Sequence, residues 1–301
     1  MVKFESVEEL LALCRDLDVS IMEVMIRQEM DLMETSREEI LADMSNKVDV
    51  MLSSVTKGKA GVVSHSGVTG GDAKKMQEYI DSGKGLTGKF FLNAISSAIA
   101  VNEVNAAMGI ICATPTAGSA GIVPGVLTAL TEKFNWDKDQ QIEFILTAGA
   151  FGMCIGNQAP IAGASGGCQA EVGSASGMAA AATTACCGGT PEMAAEALAI
   201  ALKNILGLVC DPVAGLVEVP CIKRNAMGVS NALAAAEMAL AGITSHIPAD
   251  QVILAMSRIG QIMPATLRET ATGGLAVTPA GLAIAEQVKM RNQEIVIPEI
   301  D

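Results

Sequence analysis

Eight cysteines stand in this 301-residue chain, and three of them sit in a backbone setting unlike the rest. Cys168 follows Gly166-Gly167, Cys210 precedes Asp211-Pro212, and Cys221 follows Pro220. Thiolates held on loops of this kind, with few alternative ligands, suit an iron–sulfur cluster. Zinc is a poorer match, because the chain has no C-x-x-C pair and only 2 histidines. The competing reading is that cysteines are small buried hydrophobes. It suits Cys14 in an amphipathic helix, Cys112 and Cys154 in apolar surroundings, and Cys186-Cys187, whose adjacency gives no useful chelate spacing.

Two segments concentrate hydroxyls and glycines. Ser64-His65-Ser66-Gly67-Val68-Thr69-Gly70-Gly71-Asp72 lies just before an expected helix start, where backbone N–H groups and the helix dipole favour an anion. A small substrate carboxylate would fit against Ser64, Ser66, Gly67, Thr69 and Gly70. The plainer alternative is a flexible loop with Asp72 as an ordinary cap. His65 is a candidate base near neutral pH, set against a merely solvated loop histidine. His246, beside Pro248 at a helix entry, reads as structural. The run from Cys112 to Gly121 repeats the pattern with Thr114, Thr116 and Gly118, as a second anion nest or a helix-breaking core turn. Gly83-Lys84-Gly85-Leu86-Thr87-Gly88 fits G-x-G-x-x-G, but no buried strand precedes it and Phe90 replaces the Mg²⁺-binding hydroxyl. It reads as a surface turn.

The elements that must position these groups read as helices. S-x-x-E capping boxes occur at Ser6/Glu9, Ser20/Glu23 and Ser36/Glu39, giving short helices in series over the first fifty residues. Residues 57–72 read as a loop and 73–80 as a short helix. Further helices are expected over 90–109, from Asp137, from Thr190 with Pro191 at the first turn, and over 225–241, 249–262 and 279–290. Period-2 alternation is absent, so the fold class is all-α. A single domain over 1–301 is expected, with N-terminal helices at 1–55, a catalytic core at 56–290 and a tail at 291–301.

Composition narrows the function classes. Lys+Arg 20 against Asp+Glu 33 gives a net charge of −13, which disfavours nucleic acid and anionic membrane surfaces. Half the residues are hydrophobic but only 3% are aromatic, so Ala, Gly, Met and aliphatic side chains must fill the core. Residues 104–131, 144–170 and 172–191 carry no charge. Their Gly, Ala, Ser, Thr and Pro content, without basic flanks, points to buried core rather than membrane spans. Glu5, Glu8 and Glu9 stand where a secretory signal would be apolar, so reduced thiols in the cytoplasm are expected.

The string Gly163-Ala164-Ser165-Gly166-Gly167-Cys168-Gln169-Ala170-Glu171-Val172-Gly173 resembles the iron–sulfur-dependent L-serine dehydratases. So do Cys210-Asp211-Pro212-Val213-Ala214-Gly215 and Val219-Pro220-Cys221-Ile222-Lys223-Arg224-Asn225, with the cysteines 42 and 11 positions apart. Residues 113–124, Glu269-Thr270 and Gly273-Gly274-Leu275-Ala276 extend the likeness from about 60 to 276. Chain length points to the alpha chain of the two-subunit form. The resemblance implies a [4Fe–4S] cluster on Cys168, Cys210 and Cys221, one iron left open, L-serine as substrate and a beta chain as partner. It leaves open whether His65 or the beta chain supplies the base. A related lyase on L-cysteine or L-threonine, a non-catalytic helical scaffold subunit and a small-molecule transporter are the alternatives. No Schiff-base lysine segment is found. The sequence ends Pro298-Glu299-Ile300-Asp301, so no terminal thiol is expected to plug the open iron.

Overall fold

A computed structural model describes residues 2–294 of the chain; the 298–301 ending lies outside them. Among the described residues there are thirteen α-helices and no β-strand, as the missing period-2 signal implied. The first three helices are α1 (Val7–Leu17), α2 (Ile21–Met33) and α3 (Arg37–Ala60). Ser6 and Ser36 form complete capping boxes with Glu9 and Glu39. Ser20 caps α2 by accepting the Glu23 N–H, but the box stays half made. The Glu23 carboxylate is drawn away by Arg27 at 2.8 Å and Arg37 at 2.7 Å.

Helix α3 runs into the segment expected to be loop. The reason is Gly58, where α5 (Lys89–Ala106) comes into backbone contact. A Cβ at Gly58 would stand 2.3 Å from the Ala100 carbonyl oxygen. The glycine is there for close approach rather than to break the helix. Helix α4 (Asp72–Asp81) matches the expected short helix, and residues 83–88 form the exposed turn before α5. Then come α6 (Ile122–Phe134), α7 (Lys138–Gln158) behind the Asp137/Gln140 capping box, and the single turn α8 (Gly163–Gly166).

At the centre lies α9 (Ser174–Cys186), which periodicity did not reveal. Every side chain from Ser174 to Thr184 is buried. A helix of Ala, Ser, Gly and Thr buried all round has no polar face and therefore no stripe to detect. It packs against α6, α7, α10 (Pro191–Ile205) and α11 (Cys221–Leu240). Small side chains let those neighbours close in, while Phe144, Phe151, Leu198 and Leu202 fill the space between them. Helices α12 (Ala249–Ile262) and α13 (Pro279–Glu294) complete the set. No helix among the described residues is long and apolar enough to cross a membrane.

Candidate metal centre

Three separate segments carry the singled-out cysteines. Cys168 follows α8 and Gly167, whose φ is +76°, and leads into a π-helical turn over Gln169–Gly173 that runs on into α9. Such π turns recur at functional sites because they re-aim side chains within a helix. Cys210 lies on an extended strip bridged to residue 268. Its N–H donates to the Leu267 carbonyl at 2.9 Å, and its carbonyl accepts the Glu269 N–H at 2.7 Å. Cys221 is the first residue of α11.

The Cys168 and Cys210 sulfurs and one Glu171 oxygen lie within 4.8 Å of one another, all on buried residues. Cys221 is also buried. It falls outside that tight set; burial first, and then the charges of Cys168 and Glu171, push its thiol up. No cysteine is in a disulfide. The space between the groups is kept by Gly163. A Cβ there would stand 2.9 Å from the Cys210 sulfur and 3.2 Å from one oxygen each of Glu171 and Glu269.

Charge singles out one thiol. Cys168 is held below the ordinary thiol range by a hydrogen bond from Cys210, with the Arg224 charge helping against burial. The other seven are raised. Cys210 is raised by its bond to Cys168 and by burial; burial lifts Cys14 to about 11 and also raises Cys112, Cys154, Cys186 and Cys187. Raised thiols in apolar surroundings, as at those last five positions, are inert. Cys14 and Cys154 are buried as expected, whereas Cys112, Cys186 and Cys187 are only partly so.

The two hydroxyl-rich segments are already engaged. Ser66 donates to a Glu218 oxygen at 3.0 Å and Thr69 to the same oxygen at 2.6 Å; the Ser64 and Ser66 hydroxyls meet at 3.0 Å. Glu218 is buried and lies one turn before Cys221, so the loop of Gly67 and Gly70 is tied to the head of α11. Asp72 strengthens that link through Lys223 at 2.5 Å. His65 is exposed on this loop, with its backbone N–H on the Ala106 carbonyl at 3.0 Å. His246 is exposed and has a φ of 62° in the turn before α12.

In the second segment the Thr116 hydroxyl and the Gly118 N–H both serve Glu171. Gly118 cannot bear a side chain, because its Cβ would stand 2.5 Å from a Glu171 oxygen. Its carbonyl accepts the side-chain amides of Asn102 at 3.0 Å and Asn225 at 2.7 Å. Thr114 is buried, and its hydroxyl has no protein partner. Burial raises the Glu171 carboxyl against these two bonds, and the nearby Glu269 charge adds to the rise.

Glu171, Glu269, Glu218, Arg224 and Asn225 were not assigned roles from the sequence. Glu171 had a signal: it is the single charge dividing the uncharged stretches 144–170 and 172–191. A lone acid between two buried runs requires internal partners.

Fold and site together define an all-helical protein with a buried thiol-and-carboxylate centre able to hold metal. The profile of the family described as "Serine dehydratase alpha chain" matches residues 16–276, and the chain belongs to that family. It is 60% identical over 285 residues to a probable L-serine dehydratase, alpha chain, of Bacillus subtilis, covering 95% of each chain. The L-serine dehydratase, alpha chain, of Peptoniphilus asaccharolyticus is 45% identical over 277 residues, covering 92% of this chain and 95% of the relative. A Streptomyces coelicolor L-serine dehydratase is 38% identical over 282 residues, 91% of this chain but 61% of that longer protein.

Proposed function

We propose that this chain is the catalytic alpha chain of an L-serine ammonia-lyase, turning L-serine into pyruvate and ammonia. The observation that carries the reading is the meeting of the buried Cys168 and Cys210 sulfurs with Glu171, beside Gly163, with Cys221 buried at the head of the helix whose Arg224 reaches the Cys168 sulfur. Three buried free thiols, one of them accepting a hydrogen bond from Arg224 at 3.4 Å, fit a [4Fe–4S] cluster held at three corners. Bound there, the cluster would supply a Lewis-acidic iron to the substrate hydroxyl, a poor leaving group in water.

The chain's own residues set the rest. Thr116 and Gly118 hold Glu171 against the sulfurs, and burial of the centre keeps water away. We assign the substrate carboxylate to Ser64, Ser66, Gly67, Thr69 and Gly70 with Thr114, Thr116 and Gly118. Binding there requires Ser66 and Thr69 to turn from Glu218 to the substrate. His65 is the candidate that takes the α-proton on an imidazole nitrogen. It lies exposed, so the proposal includes a beta chain that closes over it in a heterodimer, within the reducing cytoplasm. The whole described chain acts as one catalytic domain in this reading.

The test is anaerobic purification of the chain with its partner. Stoichiometric iron and sulfide, with pyruvate and ammonia released from L-serine, are expected. Cys168→Ser, Cys210→Ser and Cys221→Ser should each lose iron and turnover together. Serine deamination at full rate without iron would falsify the reading. Sulfide from L-cysteine or 2-oxobutyrate from L-threonine as the faster product would move it to a related lyase. His65→Ala with near-normal turnover and an intact cluster would remove His65 from the base role.

A further inference from the structure

Arg224 lies one turn into α11, three residues after Cys221. Its guanidinium leaves that helix and reaches the other two cysteine segments. One terminal nitrogen lies 3.4 Å from the Cys168 sulfur, as a hydrogen-bond donor, and 2.9 Å from the Val209 carbonyl. The other lies 2.8 Å from an Asp211 oxygen in an ion pair whose side chains are 15% and 5% exposed. Asp211 is fixed in turn, because its second oxygen accepts the Leu275 N–H at 2.8 Å. One side chain therefore touches a candidate ligand sulfur, grips the residues on either side of Cys210, and shares a helix with Cys221.

We infer that Arg224 is a positioning residue for the cluster: it sets the separation of the three cysteine segments and draws charge from the Cys168 sulfur. The inference rests on the cluster reading proposed above. A planar guanidinium presents several donors in fixed directions, so it can serve a sulfur, a carbonyl and a carboxylate at once; an ammonium cannot reproduce that fork. A hydrogen bond to a ligating sulfur reduces the charge it donates to iron, which eases reduction of the cluster and raises its midpoint potential. Asp211 and the Gly274–Val277 turn behind it act as the stop that keeps the guanidinium in place.

The test uses the full chain with its partner, reconstituted without oxygen as wild type, Arg224→Lys and Arg224→Gln. Iron retention against a chelator and the midpoint of the reduced-cluster signal are read by titration, and metal-free melts report folding. Arg224→Gln should hold iron about 10- to 100-fold less firmly and show a more negative midpoint, with a metal-free melt close to wild type. Arg224→Lys should fall between the two. Wild-type retention and midpoint in Arg224→Gln overturn the inference, as does a loss of iron that only mirrors a collapsed metal-free melt. A wild-type chain that takes up no iron instead overturns the cluster reading itself.

Discussion

At the scale of single residues, Gly163 makes the sharpest statement. Its missing side chain is the space shared by the Cys210 sulfur and the Glu171 and Glu269 carboxylates. Gly163→Ala should leave the helical spectrum intact yet weaken iron binding by about 10- to 100-fold, read by anaerobic iron titration. Glu103 gives a pH prediction. It is buried on α5 and accepts the Asp72 N–H at 2.7 Å and the Ala73 N–H at 3.2 Å, at the start of α4. Burial outweighs those bonds and raises its carboxyl above 4.5. Between 4.5 and the raised value the folded chain keeps a proton the unfolded chain has lost, so stability falls as pH rises across that window. Glu103→Gln lacks this loss. The melting temperature of wild type relative to Glu103→Gln should therefore be higher at about pH 4 than at about pH 7.5. Of the site, Cys168 and Cys210, which the structure brings together, were legible because glycine and proline mark the backbone beside them. The occupants of the hydroxyl loops were not, since Ser66 and Glu218 are 152 positions apart and no local pattern joins them.

At the scale of elements, capping was the most readable feature, because a cap is a bargain between residues three apart. Ser6, Ser36, Asp137 and Thr190 cap their helices as their neighbours imply. Two failures have one cause. Helix α9 shows no stripe because all its faces are buried, and α3 overruns its expected end because Gly58 serves a neighbour rather than a bend. Both are decided by tertiary contact. Gly58→Ala tests the second point. Alanine gains about 1 kcal/mol of helix propensity, but the new Cβ meets unyielding backbone at Ala100. Overpacking of this kind costs about 1–3 kcal/mol, so a net loss of stability by urea unfolding is expected; a net gain would show that α3 and α5 can move apart freely.

At the scale of the whole molecule, distant parts are wired to the head of α11. Loop 64–70 reaches it through Glu218, α4 through Asp72 and Lys223, and the 112–121 turn through Gly118 and Asn225. Glu218→Ala removes the first wire and leaves two hydroxyls without their acceptor, at about 1–3 kcal/mol. Faster hydrogen exchange confined to residues 64–70 and the first turn of α11 is expected; unchanged exchange would show that the loop stands by itself. The strip over residues 206–220, between α10 and α11, carries only one short helical turn, Val213–Gly215, and gives up Cys210 to the centre. Removing a metal held there would free the Cys210 side chain yet leave the strip anchored, because its backbone bonds to residues 267 and 269 and the grip of Arg224 and Leu275 on Asp211 need no metal.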